Sequence, residues 1–197
     1  MLEEGHLQFK TKKHLYLLKT SAILSRVNGQ DISNAAFIHL RHNVKLNRWM
    51  RFEQFAQLQN NPINKVTLRG LLGGGPRFKL LQRKQMALYT APLIMYEYEK
   101  SIFPGQQLHE EHNLRWSAYL TTTIVFFQKL TLVHTTYYQP RVSRMKDYRI
   151  NSETKIKLAI TRHLSFEPGL RYMYDADPVP GIPPKQIFVE NALKINF

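Results

Sequence analysis

Along residues 147–161 apolar and polar side chains alternate. Tyr148, Ile150, Ser152, Thr154, Ile156, Leu158 and Ile160 share one parity, and Asp147, Arg149, Asn151, Glu153, Lys155 and Lys157 the other. Successive side chains of a strand point to opposite faces, so this period of two predicts a strand with one apolar and one charged face. The pattern recurs over 6–11, 14–26, 32–46, 49–59, 65–80, 85–99, 113–127, 130–142, 164–175 and 187–197. Most of these eleven segments exceed the ~9–11 residues that a tilted strand needs to cross a bilayer.

The connections alternate in length. Short links at Lys12-Lys13, Asn47-Arg48, Arg83-Lys84, Gln128-Lys129 and Arg162-His163 are interleaved with longer ones. The longer set comprises Asn28-Gly29-Gln30, Asn60-Asn61-Pro62-Ile63-Asn64, residues 100–112, Ser143-Arg144-Met145-Lys146 and the Pro-rich 176–186. Short periplasmic turns alternating with longer outer loops mark an up-and-down transmembrane barrel. The chain is therefore expected to be all-β, an antiparallel transmembrane β-barrel with an apolar outside and a wet inside. Bacterial single-chain barrels close with an even number of strands, so about twelve are expected when intact and eleven in this chain, with an ascending first strand missing before 6–11. On this reading residues 1–197 are a single outer-membrane barrel domain, incomplete at its N-terminus. Met1-Leu2-Glu3-Glu4-Gly5 has neither the basic nor the apolar region of a secretory signal, in keeping with a start placed too late or a trimmed chain.

Aromatic residues sort by strand end. On the apolar parity Tyr96, Tyr98, Trp116, Tyr138, Tyr148, Tyr172 and Tyr174 fall at the outer ends, and Phe78, Phe126, Phe166 and Phe197 at the inner ends. These are the expected outer and inner girdles at the two membrane interfaces; strand propensity alone would not separate Tyr from Phe by end. Two amides break the apolar parity. Gln54 calls for a bulge near Phe55 or a covering partner, because an unpaired amide facing lipid costs a few kcal/mol. Asn191 is expected beside the missing strand. Val189, Leu193, Ile195 and Phe197 form the apolar face of the last segment, the pattern of a C-terminal signal read by the barrel-insertion machinery; an ordinary final strand is the alternative.

With 43% hydrophobic and 12% aromatic residues in 197, the chain is too apolar to be disordered. Its mean hydropathy of −0.38 does not oppose a membrane barrel, half of whose strand residues are polar. The absence of cysteine excludes disulfides, thiol catalysis and Cys-based metal sites. The formal charge of +14 raises nucleic-acid binding, but the basic residues recur on alternate positions of nearly every strand instead of forming one stripe, so no nucleic acid is expected. The polar parity places Arg51, Glu53, Arg69, Arg115, Arg149, Glu153, Glu167 and Arg171 in the lumen. Rings of Arg and Lys favour anions; alternatively Glu53, Glu153 and Glu167 lock the arginines in bidentate pairs and fill the lumen. A soluble ligand-binding barrel with inverted faces is the rival architecture.

No catalytic residue, cofactor or metal ligand is expected. His109-Glu110-Glu111-His112 lies in a predicted loop without helical ligand spacing, and Gly70, Gly73, Gly74 and Gly75 are not followed by the Lys and Ser or Thr of a phosphate loop. Close packing or bending is the better account of the glycines. His39 and His42 have opposite parity within segment 32–46 and His134 lies on another segment, so no catalytic set stands out.

Several segments occur in an ordered series: Leu68-Arg69-Gly70-Leu71-Leu72-Gly73-Gly74-Gly75, Tyr96-Glu97-Tyr98-Glu99, Tyr137-Tyr138-Gln139-Pro140, Asp147-Tyr148-Arg149, Tyr174-Asp175-Ala176-Asp177-Pro178 and the terminal Phe197. Over roughly 30–197 the series resembles the bacterial outer-membrane β-barrel family of unassigned function that includes the salt-induced outer membrane protein. The resemblance implies a bacterial outer-membrane location and a barrel fold. Outer-membrane lipid, the insertion machinery and other envelope proteins are the expected partners. It implies no known reaction and carries over no catalytic residue. The expected function is that of an outer-membrane barrel of unassigned activity, specifically a small anion-leaning pore. A non-conducting scaffold subunit of an envelope assembly and a soluble ligand-binding barrel are the alternatives.

Overall fold

A computed structural model describes residues 2–27, 30–127, 129–161 and 163–195, excepting the side chains of 2–4, of 23–33 and of 194–195. Period-two alternation becomes eleven strands: β1 (Leu2–Lys10), β2 (His14–Val27), β3 (Gln30–Lys45), β4 (Met50–Asn61), β5 (Val66–Gln82), β6 (Met86–Phe103), β7 (Gln107–Phe126), β8 (Leu130–Arg141), β9 (Arg144–Ala159), β10 (Leu164–Asp175) and β11 (Lys185–Ile195). Each pairs antiparallel with its sequence neighbour, in the order β1 to β11. The up-and-down sheet curls into a half-barrel, and among the described residues β1 and β11 are edges that do not pair with each other.

Several of the longer connections are shorter than expected. Gln30 opens β3, and Arg144-Met145-Lys146 belong to β9, whose Arg144 pairs with Arg141 across the turn Val142-Ser143. Residues 100–112 are not a long loop, because β6 and β7 continue to a tight turn at Pro104-Gly105-Gln106. Gly105 and Gln106 take left-handed φ values of 81° and 61° there. The pairing runs on through Ser101 and His109 to Phe103 and Gln107, and alternation never lapses: Ser101 is buried, Ile102 exposed and Leu108 exposed. His109, Glu110, Glu111 and His112 therefore lie in a strand.

The two faces separate by parity. On β6, Ala91, Leu93, Met95, Glu97, Glu99 and Ser101 are buried inside, whereas Ile94, Tyr96 and Ile102 are exposed outside. Gln54 faces outward with no bulge at Phe55, and its Nε2 donates to His42 Nδ1 at 2.8 Å. The amide is satisfied within the sheet, so neither a parity switch nor a partner is needed. Asn191 is exposed on the outward face of the edge strand β11.

The curl is held by contacts between strands that are not neighbours. Tyr119 on β7 donates its hydroxyl to Glu53 on β4 at 2.9 Å, and Arg41 on β3 donates to the Tyr137 hydroxyl on β8 at 3.3 Å. Phe55, Ala91, Leu93, Met95 and Tyr119 form the apolar core between these walls. Gly73 permits the approach: a Cβ there would lie 2.7 Å from Met95 Cβ and from Phe55 Cζ, confirming close packing as the reason for that glycine. At the loop end the β10–β11 connection reaches the β4–β5 connection. Lys65 Nζ donates to Pro180 O at 2.9 Å, and Gln186 Nε2 to Asn64 Oδ1 at 2.8 Å.

Candidate functional site

The interior is where strand geometry gathers charged groups, since every inward position of adjacent strands lies in register. Arg115 and Glu97, each 1% exposed, anchor a network on the inward faces of β5 to β10. Arg115 donates through Nε to Glu97 at 3.0 Å and through Nη2 to Asp147 at 2.9 Å. Arg149 donates to Asp175 at 2.7 Å, to Glu97 at 2.6 Å and to Glu99 at 3.1 Å. Arg69 donates through Nε to Glu99 at 2.6 Å, and Arg141 to Asp147 at 3.2 Å. Four guanidinium groups face four carboxylates, so this part of the interior is close to neutral.

A second cluster surrounds Glu53. It is fully buried, accepts from Tyr119, and has Arg41 and Arg77 guanidinium nitrogens at 3.7 Å and 3.8 Å. The Arg77 guanidinium also stacks over the Tyr89 ring at 4.4 Å. Cross-strand pairing sets Arg51 beside both Lys45 and Arg77, so positive charge outnumbers negative near the turn end of β3 to β5.

All eight residues expected in the lumen face inward; seven of them fall in two groups, with Arg51 apart. Arg69, Arg115, Arg149 and Glu53 are locked into the networks above. Glu153 pairs with Lys155 at 2.8 Å, Glu167 lies 3.6 Å from Lys157, and Arg171 pairs with Glu190 at 2.7 Å. Here the structure corrects the expected pairing. Glu97, Glu99, Asp147 and Asp175 hold Arg69, Arg115 and Arg149, whereas Glu153 and Glu167 sit lower on the wall, out of reach of those arginines. Arg51 joins no ion pair among the described residues.

The aromatic positions face outward. Tyr138 and Tyr148, and Tyr148 and Tyr174, bring ring centroids to 5.6 Å and 5.5 Å, and the Tyr96 hydroxyl lies 2.5 Å from His112 Nδ1. Tyr98, Trp116 and Tyr172 share this face near the loop end. Phe78, stacked on Trp49 at 6.1 Å, lies by the turns with Phe126 and Phe166. Val189 and Leu193 are exposed on the same apolar face. Phe197 and the Ile195 side chain lie outside the described residues, so the girdle and insertion-signal positions assigned to them are not placed. His39 points inward to Gln57 at 3.0 Å, while His42 and His134 point outward, so the three do not converge. His109 and Glu111 face inward 3.1 Å apart, and His112 faces outward.

The apolar filling of the interior went unread in the sequence, although Ala91-Pro92-Leu93-Ile94-Met95-Tyr96 carries its signal: an apolar run on both parities marks a strand buried on both faces.

The molecule thus presents an outward face rich in exposed apolar and aromatic side chains on an eleven-stranded meander. The family described as "Protein of unknown function, DUF481" matches residues 4–188. The chain belongs to that family. No curated protein matches it. Among solved structures, this chain's fold is similar to that of the NanC porin (TM-score 0.61, 8% identity, 100% of this chain and 93% of that chain). It is similar to a bacterial polysaccharide outer membrane secretin (TM-score 0.56, 8% identity, 100% and 69%). It is also similar to the KdgM porin in complex with disordered oligogalacturonate (TM-score 0.53, 9% identity, 100% and 92%). At these identities the likeness is one of fold alone, and it supports a β-barrel fold for this DUF481 chain. Neither comparison carries the salt-induced description.

Proposed function

We propose that the protein is a bacterial outer-membrane β-barrel whose centre is sealed, acting as a non-conducting scaffold in the envelope. The observation that carries the reading is the bridge across the curl, Glu53 to Tyr119 and Arg41 to Tyr137, packed against Phe55, Leu93 and Met95. A path along the axis would have to break these hydrogen bonds and expose a buried carboxylate, which costs several kcal/mol. The near-neutral Arg69, Arg115 and Arg149 network above it adds to the seal. The outward aromatic girdles and the likeness in fold to outer-membrane barrels support the location, with lipid and the insertion machinery as partners.

A narrow pore is the second reading. The inward faces of β9 and β10 are wet, with the Lys155 and Lys157 side chains 49% and 50% exposed, and the KdgM porin's oligogalacturonate is an anionic chain. Planar-bilayer recording of protein with insertion confirmed separates the two. The sealed barrel gives no steps above bare lipid. Reproducible anion-selective steps that shrink in Lys155→Glu or Lys157→Glu would replace it with the pore.

A further inference from the structure

The turn end of the barrel is basic to a degree that neither the interior nor the loop end shares. Stretches 10–14, 45–51, 79–88, 126–133 and 159–164 hold eleven Lys and Arg and no Asp or Glu, in a chain whose formal net charge is +14. Most of the excess charge therefore lies at one end. Backbone hydrogen bonds set the turns side by side: Lys45 N donates to Lys13 O at 2.7 Å, Lys79 N to Trp49 O at 2.7 Å, Val125 N to Gln85 O at 2.8 Å and Ala159 N to Lys129 O at 2.8 Å.

Lys12, Lys13, Arg48, Arg83, Lys84 and Lys129 are exposed, and none of them joins an ion pair among the described residues. The loop end differs. There Lys100 pairs with Glu110 at 2.7 Å, Arg144 with Asp177 at 3.0 Å and Arg141 with Asp147 at 3.2 Å. A second feature coincides with the basic turns. Leu46, Trp49, Phe52, Leu80 and Phe126 are exposed beside them, and Phe127, in a left-handed turn conformation with φ 50°, is 91% exposed. Unpaired cations interleaved with exposed aromatic and aliphatic side chains match a membrane interface, where the apolar groups enter the acyl boundary and the cations meet phosphate.

We infer that the turns form a collar that binds the phosphodiester headgroups of anionic phospholipids. The proposal rests on the membrane reading above. A soluble acidic protein would satisfy the charge but would leave the ring of exposed Trp49, Phe52 and Phe126 uncovered, which favours lipid.

The chain's two tryptophans allow a direct test, since Trp49 lies in the collar and Trp116 on the apolar face toward the loop end. Trp116→Phe and Trp49→Phe proteins are folded into phosphatidylcholine vesicles containing brominated phosphatidylglycerol as the minor lipid, and fluorescence quenching gives the local share of anionic lipid at each remaining tryptophan. Trp49 should report enrichment of roughly fivefold over the bilayer share, the contribution of about one basic side chain, and Trp116 none. Replacing Lys12, Lys13, Arg48, Arg83, Lys84 and Lys129 by Gln should return Trp49 to the bilayer share. Raising salt to about 0.5 M should do the same without any substitution. A Trp49 value equal to the bilayer share while Trp116 is quenched would overturn the collar alone and leave an acidic protein as its occupant. Enrichment that survives both the Gln substitutions and salt would overturn it too. Failure of brominated lipid to quench either tryptophan would overturn the membrane reading itself.

Discussion

Removing the Glu97 charge should weaken the fold more than any comparable change on the interior wall. Glu97 accepts from Arg115 Nε at 3.0 Å and from Arg149 Nη1 at 2.6 Å, and lies 3.8 Å from Arg69 Nε. In Glu97→Gln one oxygen remains an acceptor, but the other becomes an NH2 group facing a guanidinium donor. Breaking a buried ion pair costs about 3–5 kcal/mol. Asp147, Glu99 and Asp175 still hold Arg115 and Arg149 in the variant, so the loss should fall near the lower bound, about 3 kcal/mol. Glu190→Gln removes a carboxylate of the half-exposed Arg171 pair and should cost less than about 1 kcal/mol. Urea unfolding in phosphatidylcholine vesicles, followed by tryptophan fluorescence and by heat-modifiable gel mobility, measures both. A cycle of Glu97→Gln with Arg149→Gln should show coupling of about 1–3 kcal/mol. Equal, small losses at positions 97 and 190 would refute the claim that the buried network holds the curl.

Leu120→Arg puts a charge on the lipid face and should cost roughly 2–4 kcal/mol. Thr121→Arg, one residue on and facing inward toward Thr135, should cost clearly less; matching stabilities after refolding in lipid would invert the assigned faces. Gly73→Ala should lower stability by about 1–3 kcal/mol, because its Cβ would meet Met95 and Phe55 at 2.7 Å. Gly169→Ala, with 3.7 Å to its nearest neighbours, should be near neutral in the same assay. Deleting Phe197 should reduce insertion in cells more than folding in detergent; equal insertion would remove the terminal-signal reading.

The strands were legible because alternation is a local property: ten of the eleven predicted segments begin within four residues of the observed strand. The bulge or covering partner expected for Gln54 is absent, because His42 on the neighbouring strand satisfies the amide, and that pairing depends on register. The 100–112 hairpin is hidden because His109 to His112, with Pro104-Gly105, has loop composition, and two of the pairing partners of that stretch, Lys100 and Ser101, fall in the same polar run. Within the site, inward parity found Arg69, Arg115 and Arg149 but not their partners. Glu97 reaches Arg149 across three strands, and that distance is set by how tightly the sheet curls, which no spacing within a single strand records. The loop 176–186 was seen as Pro-rich, yet its contact with Lys65 depends on the same curvature.

The clasp between that loop and residues 64–65 also bears on how the molecule assembles. Every strand pairing joins sequence neighbours, so the sheet can zip hairpin by hairpin with little loop-closure entropy. By contrast Lys65 to Pro180 and Asn64 to Gln186 span 115 and 122 residues. Both bonds need the β10–β11 connection, so the last hairpin acts as a latch at the loop end: the meander and its central Glu53–Tyr119 and Arg41–Tyr137 bridges can form without it, and the clasp closes last.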